Sequence, residues 1–258
     1  MLSAARSIDP ADYQDGPRPV AAMAKEFADG YVTPRHHHRR AQLIHAIAGT
    51  MRVTTPDGAW VVPPLRAVWL PPEQPHEVAM IGAVSMRTLY VEPLAASFMP
   101  GRCLVVEVAP LLRELILGAV EEPMVYPLGG RADTIAALIL EELRRARELP
   151  LRVPLPAEPR LRALCLAMLE DLSQDGTLDD WAGRLGASAR TLARLFLRET
   201  GLSFGAWRRQ ARLAEALARL TQGSSIAEVA GALGYASSSA FTAMFRRELG
   251  ESPSRYVG

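Results

Sequence analysis

Lysine is almost missing from this chain: Lys25 is the only one, so nearly all of the 29 basic residues are arginine. Against them stand 28 Asp and Glu, a formal net charge of +1. That balance excludes a uniformly basic coat for polyanions. Any nucleic-acid binding must come from local placement of arginines on one face. From residue 158 to the end there are 13 Arg and 11 Asp plus Glu, a net of only +2. Cysteine is equally scarce. Cys103 and Cys165 lie far apart in apolar contexts, which excludes a disulfide framework and fits a reducing cytoplasm. No apolar run approaches the roughly 18 residues a membrane helix needs. The opening MLSAARSIDPADYQDG has no apolar core, so it does not read as a secretory signal. What remains is a chain with 49% hydrophobic and 22% charged residues, a globular composition long enough for two domains.

The period of the hydrophobic pattern changes along the chain. Residues 1–30 read as an irregular arm or one short strand. Over 31–92, QLIHAI, TMRVTT, AWVVPP, AVWLPP and SMRTLYVE are short β-rich runs punctuated by Gly and Pro, a β-sandwich or barrel pattern. From about Pro110 the apolar spacing becomes helical in APLLRELILGAVE and DTIAALILEELRRARELP. LPLRVPLPAEP is too rich in proline for a helix interior or a central strand and reads as a linker. Beyond it the chain reads as seven helical pieces. The expectation is an α+β protein of two domains: 1–148 with a β-barrel followed by helices, a linker at 149–157, and an all-α domain at 158–258.

The helical part repeats itself. Leu178, Ala182, Leu185 and Gly186 recur as Ile226, Ala230, Leu233 and Gly234, 48 residues on. Phe196, Arg198, Glu199, Gly201, Ser203 and Trp207 recur as Phe245, Arg247, Glu248, Gly250, Ser252 and Tyr256, 49 residues on. In each copy a short helix ends at Gly186 or Gly234. Ser188 or Ser237 can then cap the next helix. Two helices joined by a short Gly-containing turn make a helix-turn-helix, whose second helix enters the DNA major groove. The helix between the copies, about 204–220, would separate two such readers along one duplex.

SIAEVAGALGYASSSAFTAMFRRELGESPSRYV, with the preceding LARLFLRETGLSFGAWRRQARLAEALARL, resembles the DNA-binding domain of AraC/XylS-type transcriptional regulators. The resemblance covers about residues 158–258. It implies a double helix-turn-helix domain in a bacterial transcription factor, usually an activator acting near RNA polymerase. By position it implies DNA-facing residues Ala189, Arg190, Ala193 and Arg194 in the first recognition helix. In the second it implies Ser237, Ser238, Ser239, Thr242 and Ala243. Arginine reads guanine bidentately, so discrimination is expected mainly from the first helix, with phosphate positioning from the short side chains of the second. Arg246 and Arg247 are expected on phosphate or on a neighbouring acid, and Glu199, Glu248, Trp207 and Tyr256 in structural roles.

YVTPRHHHRRAQLIHAIAGTMRV poses a separate question. On an extended chain His36 and His38 share one face and His37 takes the other. The stretch resembles the first motif of a cupin barrel through His36, His38, Gln42 and Gly49, with Gln42 where Glu is usual. Pro71 and His76 fit the second motif, in which Glu73 stands where glycine is expected and Met80 where Asn often sits. The resemblance to AraC-type regulators implies that such a barrel is the effector-sensing domain, with helices behind it forming a homodimer contact. Three His and an amide oxygen could hold a divalent transition metal. Alternatively they line a metal-free effector pocket, or lie solvated in HHHRR. His45 reads as a pocket or packing residue. The resulting expectation is a cytoplasmic regulator binding double-stranded promoter DNA and a small-molecule effector. The alternative is a metal-dependent cupin enzyme fused to a helical DNA- or protein-binding module.

Overall fold

The computed structural model describes residues 7–149, 151–174, 176–221, 223–250 and 252–256. The side chains of Leu185 and Tyr256, two members of the repeat, lie outside that description. A single 3-10 turn at Pro10–Tyr13 precedes strands β1 (Val20–Phe27), β2 (Ala41–Thr55), β3 (Gly58–Val62), β4 (Arg66–Leu70), β5 (Glu77–Val91) and β6 (Leu104–Glu107). Helices α1 (Pro110–Val120) and α2 (Arg131–Arg145) follow, then the short strands β7 (Glu148–Leu149) and β8 (Arg152–Pro154). The remainder is helical: α3 (Pro159–Glu170), α4 (Leu178–Leu185), α5 (Ala189–Thr200), α6 (Phe204–Thr221), α7 (Ile226–Ala232), α8 (Ser238–Leu249) and α9 (Pro253–Tyr256). This is the α+β, two-part organisation expected. No helix among the described residues is long and apolar enough to cross a membrane.

The chain divides into two compact units. The first takes residues up to Thr55 and Val62–Pro150. Its sheet runs β1-β5-β2-β4-β6-β7 as an open path, antiparallel at every step. The two runs QLIHAI and TMRVTT are one 15-residue strand, β2, whose register against β5 shifts twice between Ala46 and Thr50. The intervening Ala-Gly is thus a bulge and not a break. The expected N-terminal arm contributes an eight-residue edge strand, β1, paired from Val20↔Val91 to Phe27↔Val84.

Strand alternation sorts this unit into two faces. Val20 and Ala22 of β1, Leu43 of β2, and Leu89 and Val91 of β5 pack with Leu112, Ile116 and Val120 of α1 and Ile135, Ile139 and Leu143 of α2. The helical stripes expected from the sequence are therefore spent largely on the sheet. Leu111 and Leu138 remain exposed. The residues one position along, Met23, Gln42, Ile44, Met86 and Tyr90, point the other way and line a cavity.

The second unit takes Pro56–Val61 and the chain from Leu151. The proline-rich stretch expected as a linker departs from that expectation. Within it, β8 pairs antiparallel with β3, from Gly58↔Pro154 to Trp60↔Arg152. Leu151, Val153 and Leu155 are buried. The physical reason is that proline lacks only the donor. The Pro154 carbonyl accepts from Trp207 Nε1 of α6 at 2.7 Å. Pro154 is the last residue of β8, which pairs only with β3 among the described strands, so the missing donor falls at the end of an edge strand.

The repeat in sequence is a repeat in structure. Capping boxes open α4 (Thr177 with Asp180) and α7 (Ser225 with Glu228). Ser188 accepts from Thr191 N and Ser237 from Ala240 N, so both recognition helices have the serine caps expected. Gly186 and Gly234 follow the first helix of each motif with φ of +64° and +71°. At Gly234 a side chain is also excluded by space: a Cβ would stand 2.6 Å from the Ser173 carbonyl. At Gly186 nothing lies within 4 Å.

Candidate functional site

Two places carry chemistry, one in each unit. In the helical unit α5 buries Leu192 and Phe196. Phe196 packs edge-on to Phe204 and Trp207, with ring centroids 5.5 and 5.9 Å away. With that stripe turned inward, Arg190, Ala193 and Arg194 are exposed and Ala189 is half-buried. The equivalent α8 buries Phe241, Met244 and Phe245. It leaves Ser239 and Ala243 exposed and Ser238 and Thr242 half-buried. Ser237 stands at the same end, with its hydroxyl engaged as the helix cap. One outward face therefore offers two free-reaching guanidinium groups, and the other only short polar and small side chains.

The residues given structural roles act as such where described. Trp207 is fully buried. The Glu199 carboxylate accepts from Glu158 N at 2.8 Å. Glu248 pairs with Arg247 at 3.2 Å and with Arg209 at 3.9 Å. A groove between α6 and α8 was not anticipated. It is lined by Arg208, Arg209, Arg212 and Arg247 beside Tyr235. Arg212 is anchored by Nε to the Leu172 carbonyl at 3.0 Å and lies over the Tyr235 ring. The arginines stand in the sequence as WRRQAR and FRREL. What joins them is the packing of two helices about forty residues apart, which no local pattern carries.

In the first unit the cavity of about 700 Å³ brings together all four residues singled out there: His36, His38, Gln42 and His76. His36 and His76 face one another through a two-way backbone bridge, His36 N to His76 O at 3.0 Å and His76 N to His36 O at 2.8 Å. The ring nitrogens of His36, His38 and His76 can be chosen so that all lie within 4.8 Å of one another. His37, expected on the opposite face, lines the same cavity and stands 3.4 Å from Glu73.

Two of the three rings are oriented by backbone carbonyls. His36 Nδ1 lies 2.7 Å from the Pro34 carbonyl and His76 Nδ1 lies 2.9 Å from the Gln74 carbonyl. A carbonyl can only accept, so Nδ1 carries a proton, and in the neutral ring the lone pair is then on Nε2. His38 Nε2 and His76 Nε2 are buried and have no hydrogen-bond partner among the described residues. Burial, followed by the neighbouring His36, His76 and His37, pushes His38 down to about 3. Burial likewise holds His76 at about 4, against the Gln74 carbonyl, which favours protonation. Both rings are therefore neutral at physiological pH.

Gln42 is fixed with equal definition. Thr88 Oγ1 donates to the Leu43 carbonyl at 3.2 Å, so it can only accept from its other neighbour. Gln42 must present its amide nitrogen there, at 3.2 Å, and to Tyr90 OH at 3.4 Å. Its oxygen is left buried and unpartnered. Sequence inspection finds Gln42 but not the threonine that sets which end of the amide is free. His45 stands apart from this group. It is buried, with Nδ1 2.9 Å from the Arg66 carbonyl.

Comparison with known proteins agrees with this division. The profile of the AraC-like ligand binding domain matches residues 23–143, and that of a helix-turn-helix domain matches residues 181–258. The HTH-type transcriptional regulator NimR of Escherichia coli (strain K12) is 35% identical over 238 residues, covering 92% of this chain and 87% of that protein. The HTH-type transcriptional regulator RipA of Corynebacterium glutamicum is 39% identical over 104 residues, 40% of this chain and 31% of that protein. The solved structure of ToxT from Vibrio cholerae aligns over 93% of this chain and 98% of that one, with 11% identity and a TM-score of 0.39.

Proposed function

Because the chain belongs to the AraC/XylS-type family of transcriptional regulators, we propose that an effector bound in its N-terminal cavity controls DNA reading by α5 and α8. The observation that carries this is the doubled helix-turn-helix, in which matching capped helices turn their apolar stripes inward and leave one outward face each. Arg190 and Arg194 contact base edges, flanked by Ala189 and Ala193, which allow close approach. Ser237, Ser238, Ser239, Thr242 and Ala243 position the second helix on its groove, largely through phosphate. Arg208, Arg209 and Arg247 add backbone contacts beside it.

The protein acts in the cytoplasm as a regulator and not as an enzyme, a reading supported by its relatives being transcriptional regulators. It works as a homodimer near RNA polymerase. Since the inner stripes of α1 and α2 are taken up by the sheet, the dimer contact uses exposed residues such as Leu111 and Leu138. The effector acts by binding one state of the protein better than the other.

Footprinting on the DNA upstream of the protein's own gene tests the reading. The expected result is protection of two successive major grooves on one face, with sequence selectivity that survives competitor DNA. Uniform, salt-sensitive binding to any duplex would sink it.

A further inference from the structure

We infer that His36, His38, His76 and Gln42 hold a divalent transition metal through neutral donors alone, and that its undiminished charge selects a small organic anion as the effector. This rests on the reading above that the cavity is an effector site.

The first argument concerns atoms without partners. His38 Nε2, His76 Nε2 and Gln42 Oε1 are all buried and unpaired, and all three residues line one cavity. A buried acceptor left without a hydrogen bond is destabilising. One cation removes that cost at several atoms together. The second argument concerns orientation. Ligating histidines characteristically donate their other nitrogen to a carbonyl, and His36 and His76 do so to Pro34 and Gln74. In the neutral rings a metal requires, the lone pairs are then on Nε2. The third concerns distance. Nitrogens sharing one ion at about 2.0–2.1 Å stand about 3–3.5 Å apart. The observed spread of up to 4.8 Å closes to that with side-chain adjustment. Imidazole donors suit zinc, copper, iron, nickel and cobalt better than magnesium or calcium.

The effector class follows from charge. Three neutral imidazoles and an amide leave the ion at 2+, where a carboxylate in place of Gln42 would reduce the centre to 1+. The charged side chains lining the cavity, Asp9, Asp15, Lys25 and Arg39, cancel one another formally. The metal centre thus supplies the net charge of the cavity. A ligand that compensates it is an anion. The wall beside it is apolar, built from Met23, Ile44, Val78 and Met86. A volume of about 700 Å³ admits a hydrocarbon body behind the anionic group. An aromatic or short aliphatic carboxylate has that shape and charge.

The test uses the full chain, stripped of metal with chelator and titrated with Co(II). The expected result is one equivalent per chain with a visible ligand-field band. His36→Ala, whose ring is half-buried and whose loss spares the fold, should weaken Co(II) binding at least tenfold, and His38→Ala and His76→Ala likewise. Benzoate added to the cobalt protein should shift the band saturably. Gln42→Glu should keep cobalt, which also reports its fold, and weaken benzoate about tenfold or more through the lost unit of charge. Absence of stoichiometric cobalt binding overturns the metal site, as does unchanged binding in all three histidine variants. Equal benzoate affinity in wild type and Gln42→Glu overturns the charge selection. Upstream-DNA binding is measured on the same samples. DNA binding without metal leaves the regulator reading standing and removes this inference; metal without selective DNA binding does the reverse.

Discussion

The indole Nε1 of Trp207 donates to the carbonyl of Pro154 at 2.7 Å, tying helix α6 to strand β8 inside the helical unit. Trp207 is fully buried, so the bond is made away from water. Trp207→Phe keeps much of the ring but strands the carbonyl. The expected loss is about 1–3 kcal/mol of stability. Urea denaturation followed by circular dichroism measures it, and an unchanged midpoint would show that the bond contributes nothing net.

Arg190→Ala and Arg194→Ala should each cost about 1–3 kcal/mol in operator binding and relax selectivity at one base position. Arg208→Ala and Arg209→Ala should instead weaken binding to every duplex alike and lower the salt slope by about 1. Titrations at several salt concentrations separate the two behaviours. If Arg190 and Arg194 behave as the second pair does, α5 is a backbone clamp and the reading of bases lies elsewhere.

The glycines after α4 and α7 look equivalent in sequence but should not respond equally. Gly186→Ala meets open space and suffers only its left-handed backbone, about 1–2 kcal/mol. Gly234→Ala suffers that and a Cβ 2.6 Å from the Ser173 carbonyl, a backbone atom that cannot swing aside. Gly234→Ala should therefore have clearly the lower thermal midpoint of the two. Matching midpoints would mean that the Ser173 turn yields freely.

Burial holds His45 below the ordinary histidine value of about 6.5. The unfolded chain takes up the proton as pH falls through that value and the folded chain does not. Stability from this group is thus intact above about pH 6.5 and is lost progressively below it. The thermal midpoint should drop between pH 7.5 and 5.0, and drop less in His45→Asn. The comparison is made between wild type and variant, so other histidines cancel. Parallel profiles would assign the acid sensitivity elsewhere.

The helical unit was legible because its signals are local and written twice. The caps at Ser188 and Ser237 and the glycines behind α4 and α7 all fall within a few residues of the pattern that announces them. The capping boxes at Thr177 and Ser225 are equally local. The histidines were legible as a set because alternation puts His36 and His38 on one side and the second motif supplies His76, which an isolated bridge sets against His36. Three features were not. The proline-rich stretch looked like a linker because proline signals a missing donor, whereas its carbonyls and flanking leucines find partners through distant Gly58 and Trp207. The arginine groove needs two helices to pack. The free oxygen of Gln42 depends on where Thr88, 46 residues away, sends its own proton.

The helical unit is not one stretch of chain, since Pro56–Val61 belongs to it and lies in sequence between two segments of the other unit. A C-terminal fragment starting at Pro159 would lack both β3 and β8 and leave the Trp207 indole without its acceptor. One starting at Leu151 would recover the acceptor but not the strand that β8 pairs with. The missing piece is a hairpin arm short enough to be supplied as a separate peptide. Its rescue of a truncated DNA-binding fragment would be complementation, in which the first half of the gene finishes the fold of the second.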